Sequence, residues 1–133
     1  MPEEIQVGME GAHTLTVTED TAINFLGTPE GRVLGTPYLI LNLEMAARNL
    51  IKPLLGAEFD SVGTIVNVKH LAATPLGMNV TFRARVTCVS ERRVQFAVEA
   101  FDEREKIAEG EHERGIINVA KFAARVAAKA DKT

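Results

Sequence analysis

A chain of 133 residues, 46% apolar and 25% charged, has the length of one ordinary domain, expected over 1–133, and enough apolar material for a core. Its mixed charge, net −3 at pH 7, and its single cysteine, Cys88, argue against an electrostatic nucleic-acid binder and exclude an intramolecular disulfide or a multi-thiolate metal site. The opening "MPEEIQVGMEG" lacks the basic flank and apolar run of a signal peptide, and no segment approaches about 20 uninterrupted apolar residues, so a cytoplasmic protein with no membrane partner is expected.

In "AHTLTVTED", residues 12 to 20, β-branched residues alternate with small or polar ones over a strand's length, and "TAINFLGTPEGR" then supplies breakers for a short helical turn and a loop. From Pro37 to Leu55 the period becomes helical: Leu39, Ile40, Leu43, Ala46, Ala47, Leu50, Ile51 and Leu54 recur at three and four, which predicts a helix of about five turns, roughly 28 Å long. Tyr38, Leu41 and Met45 make the opposite face apolar too. A helix apolar nearly all round is central and buried, wrapped by a sheet on one side and covered on the other by further apolar surface such as a partner subunit.

Four strand-like runs follow the loop "GAEFD": "SVGTIVNVKHLAA", "MNVTFRARVTCVS", "RRVQFAVEAFD" and "KIAEGEHERGIIN". The second alternates Val80, Phe82, Ala84, Val86 and Cys88 against Thr81, Arg83, Arg85 and Thr87, as a half-buried strand does. The polar turns "SERR" and "DEREK" predict an antiparallel meander. Asn118 is placed to cap a last helix, "VAKFAARVAAKA", with Val119, Phe122 and Val126 as its apolar stripe. Strand, long helix, then strands is the order of an α+β domain whose curled antiparallel sheet wraps one long central helix, with a C-terminal helix appended: the hot-dog architecture.

Five residues are candidates for chemistry. Thr36 before Pro37 reads first as a helix N-cap, and the same position puts a hydroxyl among the unpaired N–H groups of a helix start, where an oxyanion is stabilised. Glu44 stands at the edge of the apolar face beside Ile40, Ile51 and Arg48. Either it pairs with Arg48 at i,i+4, or it is a carboxylate held in a partly apolar cleft and suited to base or nucleophile work; the helix's all-round apolarity favours the cleft. His70 ends "VGTIVNVKH" and precedes the turn of "HLAATPLG", a rim position where an imidazole titrates near neutral pH. Arg114 shares a strand face with His112 and Gly110 and reads as a balance to nearby glutamates or as an anion-binding group. Gly63 marks a bulge or a close backbone approach. The histidines His13, His70 and His112 show no metal-ligand spacing, and no cofactor is expected.

Taken together, "GTP" opening the helix with Glu44 eight residues after Thr36, "VGTIVNVKHLAATPLG" and "HERGIINVAKF" resemble the hot-dog thioesterases, most closely the fluoroacetyl-CoA thioesterase group, over roughly Val7 to Val126. The resemblance implies a catalytic triad at Thr36, Glu44 and His70, and substrate contacts at Gly63 and Arg114. Fluoroacetyl-selective members resemble this chain in the triad but carry phenylalanines just before the threonine; here that segment reads "LGTPEGRVLG", and Phe25 is the only aromatic nearby. On one regular helix Thr36 and Glu44 are separated by an axial rise of about 12 Å, too far for a hydrogen bond, so the site is expected at a homodimer interface that Tyr38, Leu41 and Met45 help to build, with pairing of dimers into higher oligomers left open.

The expected activity is hydrolysis of a short-chain acyl-CoA thioester. Glu44 or Thr36 attacks the carbonyl or activates water, His70 orients the base or protonates the thiolate, and backbone N–H groups near Thr36 or Gly63 hold the oxyanion. The alternatives are an enoyl-CoA hydratase-like lyase, although no Asp and His are paired near the helix start, and a non-catalytic acyl-CoA binding module.

Overall fold

A computed structural model describes residues 4–131. Strand β1 (Glu10–Thr16) leads through two 3-10 turns, Glu19–Thr21 and Pro29–Gly31, into helix α1 (Thr36–Ile51). Strands β2 (Phe59–His70), β3 (Asn79–Ser90), β4 (Arg93–Phe101) and β5 (Lys106–Asn118) follow, and helix α2 (Val119–Ala130) comes last. The strands form one antiparallel sheet in the order β1-β3-β4-β5-β2, and α1 packs against β1, β2, β3 and β4. This is the hot-dog arrangement expected from the order of elements. Among the described residues no helix is long and apolar enough to cross a membrane.

The expected meander holds only for β3, β4 and β5. Strand β2 leaves it and pairs with β5 at the sheet's edge, from Phe59 opposite Asn118 to His70 opposite Ala108. The segment after His70 is too long for a tight hairpin and is stitched instead to other parts of the chain. Leu71 donates its N–H to the Ile107 carbonyl at 2.7 Å, the Thr74 carbonyl accepts from Leu34 N–H at 2.9 Å, and the buried Thr74 hydroxyl donates to Asp102 Oδ2 at 2.9 Å.

The core lies between one face of α1 and the concave face of the sheet. Leu39, Leu43, Ala46, Ala47 and Ile51 meet Val80, Phe82, Ala84, Val86, Val94, Phe96, Val98, Ala100 and Ile107, all buried. Burying side chains of this kind contributes roughly 1.5–3 kcal/mol for each large one. The helix is shorter than its periodicity predicts, 16 residues and about 24 Å. It tightens into a 3-10 turn at Lys52–Leu54 because Pro53 has no N–H to continue the ladder. Its outer face is bare within the chain, with Tyr38 40% and Leu41 51% exposed.

Two other expectations are corrected. A register shift between Val86 and Cys88 turns the inward alternation of β3 by one residue, so Val89 packs against the core and Cys88 faces out. The Asn118 side chain does cap α2, accepting from Lys121 N–H at 3.0 Å, yet no residue of that helix is buried: Val119 and Val126 stay exposed, and Arg125 lies 5.8 Å over the Phe122 ring. Strand β2 is the other bare surface, for Ile65 and Val66, 52% and 42% exposed, lie in its middle, and one of its two edges has no strand beside it.

Candidate functional site

At the start of α1 the Gly35 carbonyl accepts the first helical bond, from Leu39 N–H at 3.0 Å, so Gly35 rather than Thr36 is the N-cap. Thr36 is thereby the first helical residue, and its hydroxyl is not spent on capping. It is hydrogen-bonded to His70 Nδ1 at 2.8 Å. The stitching of Leu34 to Thr74 and of Gly35 N–H to the Thr21 carbonyl at 2.8 Å fixes the helix start against the segment that leaves β2, which brings the two side chains together. His70 Nε2 is buried, and among the described residues it has no hydrogen-bond partner. Burial pulls the imidazole below the usual histidine range, and the nearby Ala72 backbone opposes this only in part. The ring is therefore neutral at pH 7, the form that can accept a proton.

Two turns along the helix, Glu44 has a different neighbourhood. It does not pair with Arg48, as the i,i+4 spacing allowed; Arg48 instead takes Asp60 through two bonds, Nη2 to Oδ2 at 2.6 Å and Nε to Oδ1 at 3.0 Å, and holds that carboxyl below its ordinary range. Glu44 Oε2 accepts from Arg114 Nη1 at 3.3 Å, with the Glu44 side chain 32% and the arginine side chain 6% exposed. Arg114 also donates from Nε to Ser61 Oγ at 2.7 Å and from Nη2 to the Ser61 carbonyl at 2.8 Å. Burial works against its charge and Glu44 supports it. Gly63 sits at the register shift in β2 and makes a close approach, since a Cβ there would collide with Glu44 Oε2 and meet His112 Cε1 at 3.2 Å.

Two groups result: Thr36 with His70 at the end of β2, and Glu44 with Arg114 and Gly63 at its middle. The single chain does not bring Glu44 to the Thr36–His70 pair, as the axial rise of the helix requires. Reading Arg114 as a counterweight to its strand glutamates is corrected too: Glu113 takes Arg93 and Thr64, while Arg114 turns inward to Glu44 on α1. Ser61 has no place in the expectations from sequence, and His112 enters them only as a face neighbour of Arg114, yet the two saturate Arg114 from two sides; the shared strand face is the signal that points to this contact. Among the described residues no three His, Cys, Asp or Glu groups gather to hold a metal ion.

A family model described as fluoroacetyl-CoA-specific thioesterase matches residues 17–120. The fluoroacetyl-CoA thioesterase of Streptantibioticus cattleyicolor is 33% identical over 135 residues, covering 97% of each chain. A solved structure of a fluoroacetyl-CoA thioesterase superposes with a TM-score of 0.86 at 33% identity, over 94% of this chain and 97% of that one. A hot-dog-like protein from Thermanaerovibrio acidaminovorans, 24% identical, shares the fold with a TM-score of 0.89 over 98% of this chain and 97% of its own. By both sequence and architecture the chain belongs to the fluoroacetyl-CoA-specific thioesterase family of acyl-CoA thioester hydrolases.

Proposed function

We propose that this chain, acting in the cytoplasm as one domain over 1–133, hydrolyses a short-chain acyl-CoA to the free acid and CoA at a site built from Thr36, Glu44 and His70. The observation that carries the reading is the 2.8 Å bond between the Thr36 hydroxyl and a neutral, half-buried His70 at the N-terminus of α1. A hydroxyl and an imidazole in contact at the positive end of a helix dipole form a proton-transfer pair beside the Thr36 N–H, the donor of that first turn that suits an oxyanion, since Gly35, Tyr38 and Leu39 donate within the chain and Pro37 has none. Water or a side-chain oxygen adds to the thioester carbonyl, the tetrahedral oxyanion rests on backbone N–H groups near Thr36 or Gly63, and the C–S bond breaks as a proton reaches the departing thiolate. Attack by water gives the acid directly, whereas attack by a side chain gives an acyl-enzyme that a water then hydrolyses to release the acid and restore the side chain. Glu44 supplies the base or the attacking oxygen, and Arg114 fixes it. The segment before Thr36 offers one ring, Phe25, 76% exposed, so the acyl pocket is not expected to demand fluorine.

Glu44 joins the other two groups across a homodimer in this reading. Support comes from three bare surfaces within the chain: the outer face of α1 at Tyr38 and Leu41, the middle of β2 at Ile65 and Val66, and the unpaired edge of β2 itself. A long edge strand with apolar side chains is a template for pairing with another strand.

Thiol release from acetyl-, fluoroacetyl-, butyryl- and phenylacetyl-CoA, repeated with Glu44→Ala and His70→Ala, tests the function. Unchanged turnover in either variant rejects the site, and binding without thiol release rejects hydrolysis. Light scattering behind size exclusion tests the assembly, which an active monomer would rule out.

A further inference from the structure

His112 and Ser61 lie against the Glu44 side of the site and have no part in the chemistry proposed above. His112 is 3% exposed and stacks on Phe96, with ring centroids 6.0 Å apart and planes at 26°. Its Nδ1 is 2.8 Å from the Ile65 carbonyl, which can only accept, so Nδ1 carries the proton. Nε2 is then a bare lone pair, and it faces Arg114 Nη1 at 3.2 Å, which can only donate. The surroundings therefore determine the tautomer from both sides. Burial and the Arg114 charge favour the neutral ring, while the Ile65 carbonyl, Glu44 and Glu113 oppose them less strongly.

We propose that His112 is a positioning residue for Glu44: it takes one proton of Arg114 Nη1 and, with Ser61, stops the guanidinium from closing on both carboxylate oxygens. The inference rests on the reading that Glu44 performs chemistry. An unrestrained arginine pairs with a carboxylate through two parallel bonds, which occupy both oxygens and reduce their basicity. Here Nε and Nη2 are committed to Ser61, and Nη1 is divided between His112 Nε2 and Glu44 Oε2. Glu44 is left with one 3.3 Å bond to Oε2, and among the described residues no donor reaches Oε1. The carboxylate is thus aimed through one oxygen while the other stays available to water or an acyl carbon. Gly63 completes the arrangement, because any Cβ there would enter the space in which Glu44 Oε2 and His112 Cε1 converge.

The test compares His112→Leu, His112→Gln, Glu44→Gln and the double variant Glu44→Gln/His112→Leu, using kcat and KM for acetyl-CoA hydrolysis with folding followed by circular dichroism. His112→Leu is expected to lower kcat roughly 10- to 100-fold, the scale of a slightly misplaced reacting group, with KM little changed. His112→Gln, whose amide oxygen can accept from Arg114, restores part of it, and in the Glu44→Gln background His112→Leu costs nothing more. A folded His112→Leu protein with full kcat, or an equal loss in both backgrounds, overturns the inference. Glu44→Gln with full kcat would instead reject the role of Glu44, a separable outcome. Should His112→Leu fail to fold, nitrogen-15 NMR of the native imidazole decides: a protonated Nδ1 and bare Nε2 support the arrangement, and the reverse tautomer overturns it.

Discussion

The Thr36–His70 pair and the Glu44 cluster are built on opposite plans. At the helix start one hydrogen bond joins two side chains, one of them exposed, and a ring nitrogen next to it has no partner. At the middle of β2 an arginine is committed at every nitrogen to Ser61, His112 and Glu44, three of the four residues being buried. A group that must exchange a proton gains from few bonds, since each has to be broken or reformed as charge moves. A group that must hold a carboxylate in place gains from many, because a guanidinium tied at several points cannot swing. On the proposed function, the contrast separates moving parts from fixed ones along one helix and the strands beside it.

The two plans respond differently to substitution. Removing the imidazole with His70→Ala should have the largest effect, lowering kcat by about 10²–10⁴-fold in a thiol-release assay, the usual contribution of general acid–base catalysis. Next comes Gly63→Ala. Its Cβ meets the far end of the flexible Glu44 side chain, so the carboxylate moves rather than the backbone. Activity should fall by up to about 100-fold while the thermal midpoint changes little, and a large loss of stability would show the cluster to be a structural anchor instead.

Acidification probes both plans at once. His70 and His112 are each pulled below the ordinary histidine value by burial. The unfolded chain therefore binds protons first as pH falls through about 6.5. Stability should be level above that pH and decline below it, and the decline should continue through the carboxylate range because Asp60, Asp102 and Glu113 are also held below their ordinary values in the folded chain, as read from urea midpoints. Smallest is Asn118→Ala, remote from both groups, which removes the cap of α2 and should cost about 0.5–1 kcal/mol with kcat unaffected.

Local patterns were legible in the sequence; partners across the sheet were not. The run Lys106–Asn118 and its capping asparagine are visible as alternation followed by a helix start, and both are found at those residues. The place of β2 is not visible, because a strand's own period says nothing about which neighbour it joins, and the eight residues from Leu71 to Met78 can cross the sheet as readily as turn back. Alternation puts Cys88 inward because it carries no mark of the bulge that follows Val86. Thr36 has the grammar of a cap, but the carbonyl that accepts the first helical bond belongs to Gly35. Glu44 with Arg48 is a sound local pairing that lost to Asp60 and Arg114, residues 12 and 70 positions away from the groups they bind.

The bulge in β3 leaves one practical handle. Because it turns the chain's single thiol outward, Cys88 offers one attachment point per chain for a maleimide dye or spin label, outside the packed core. Two labels in one particle would report their separation directly, and energy transfer between differently coloured copies would count subunits without altering α1, β2 or any group assigned to the reaction.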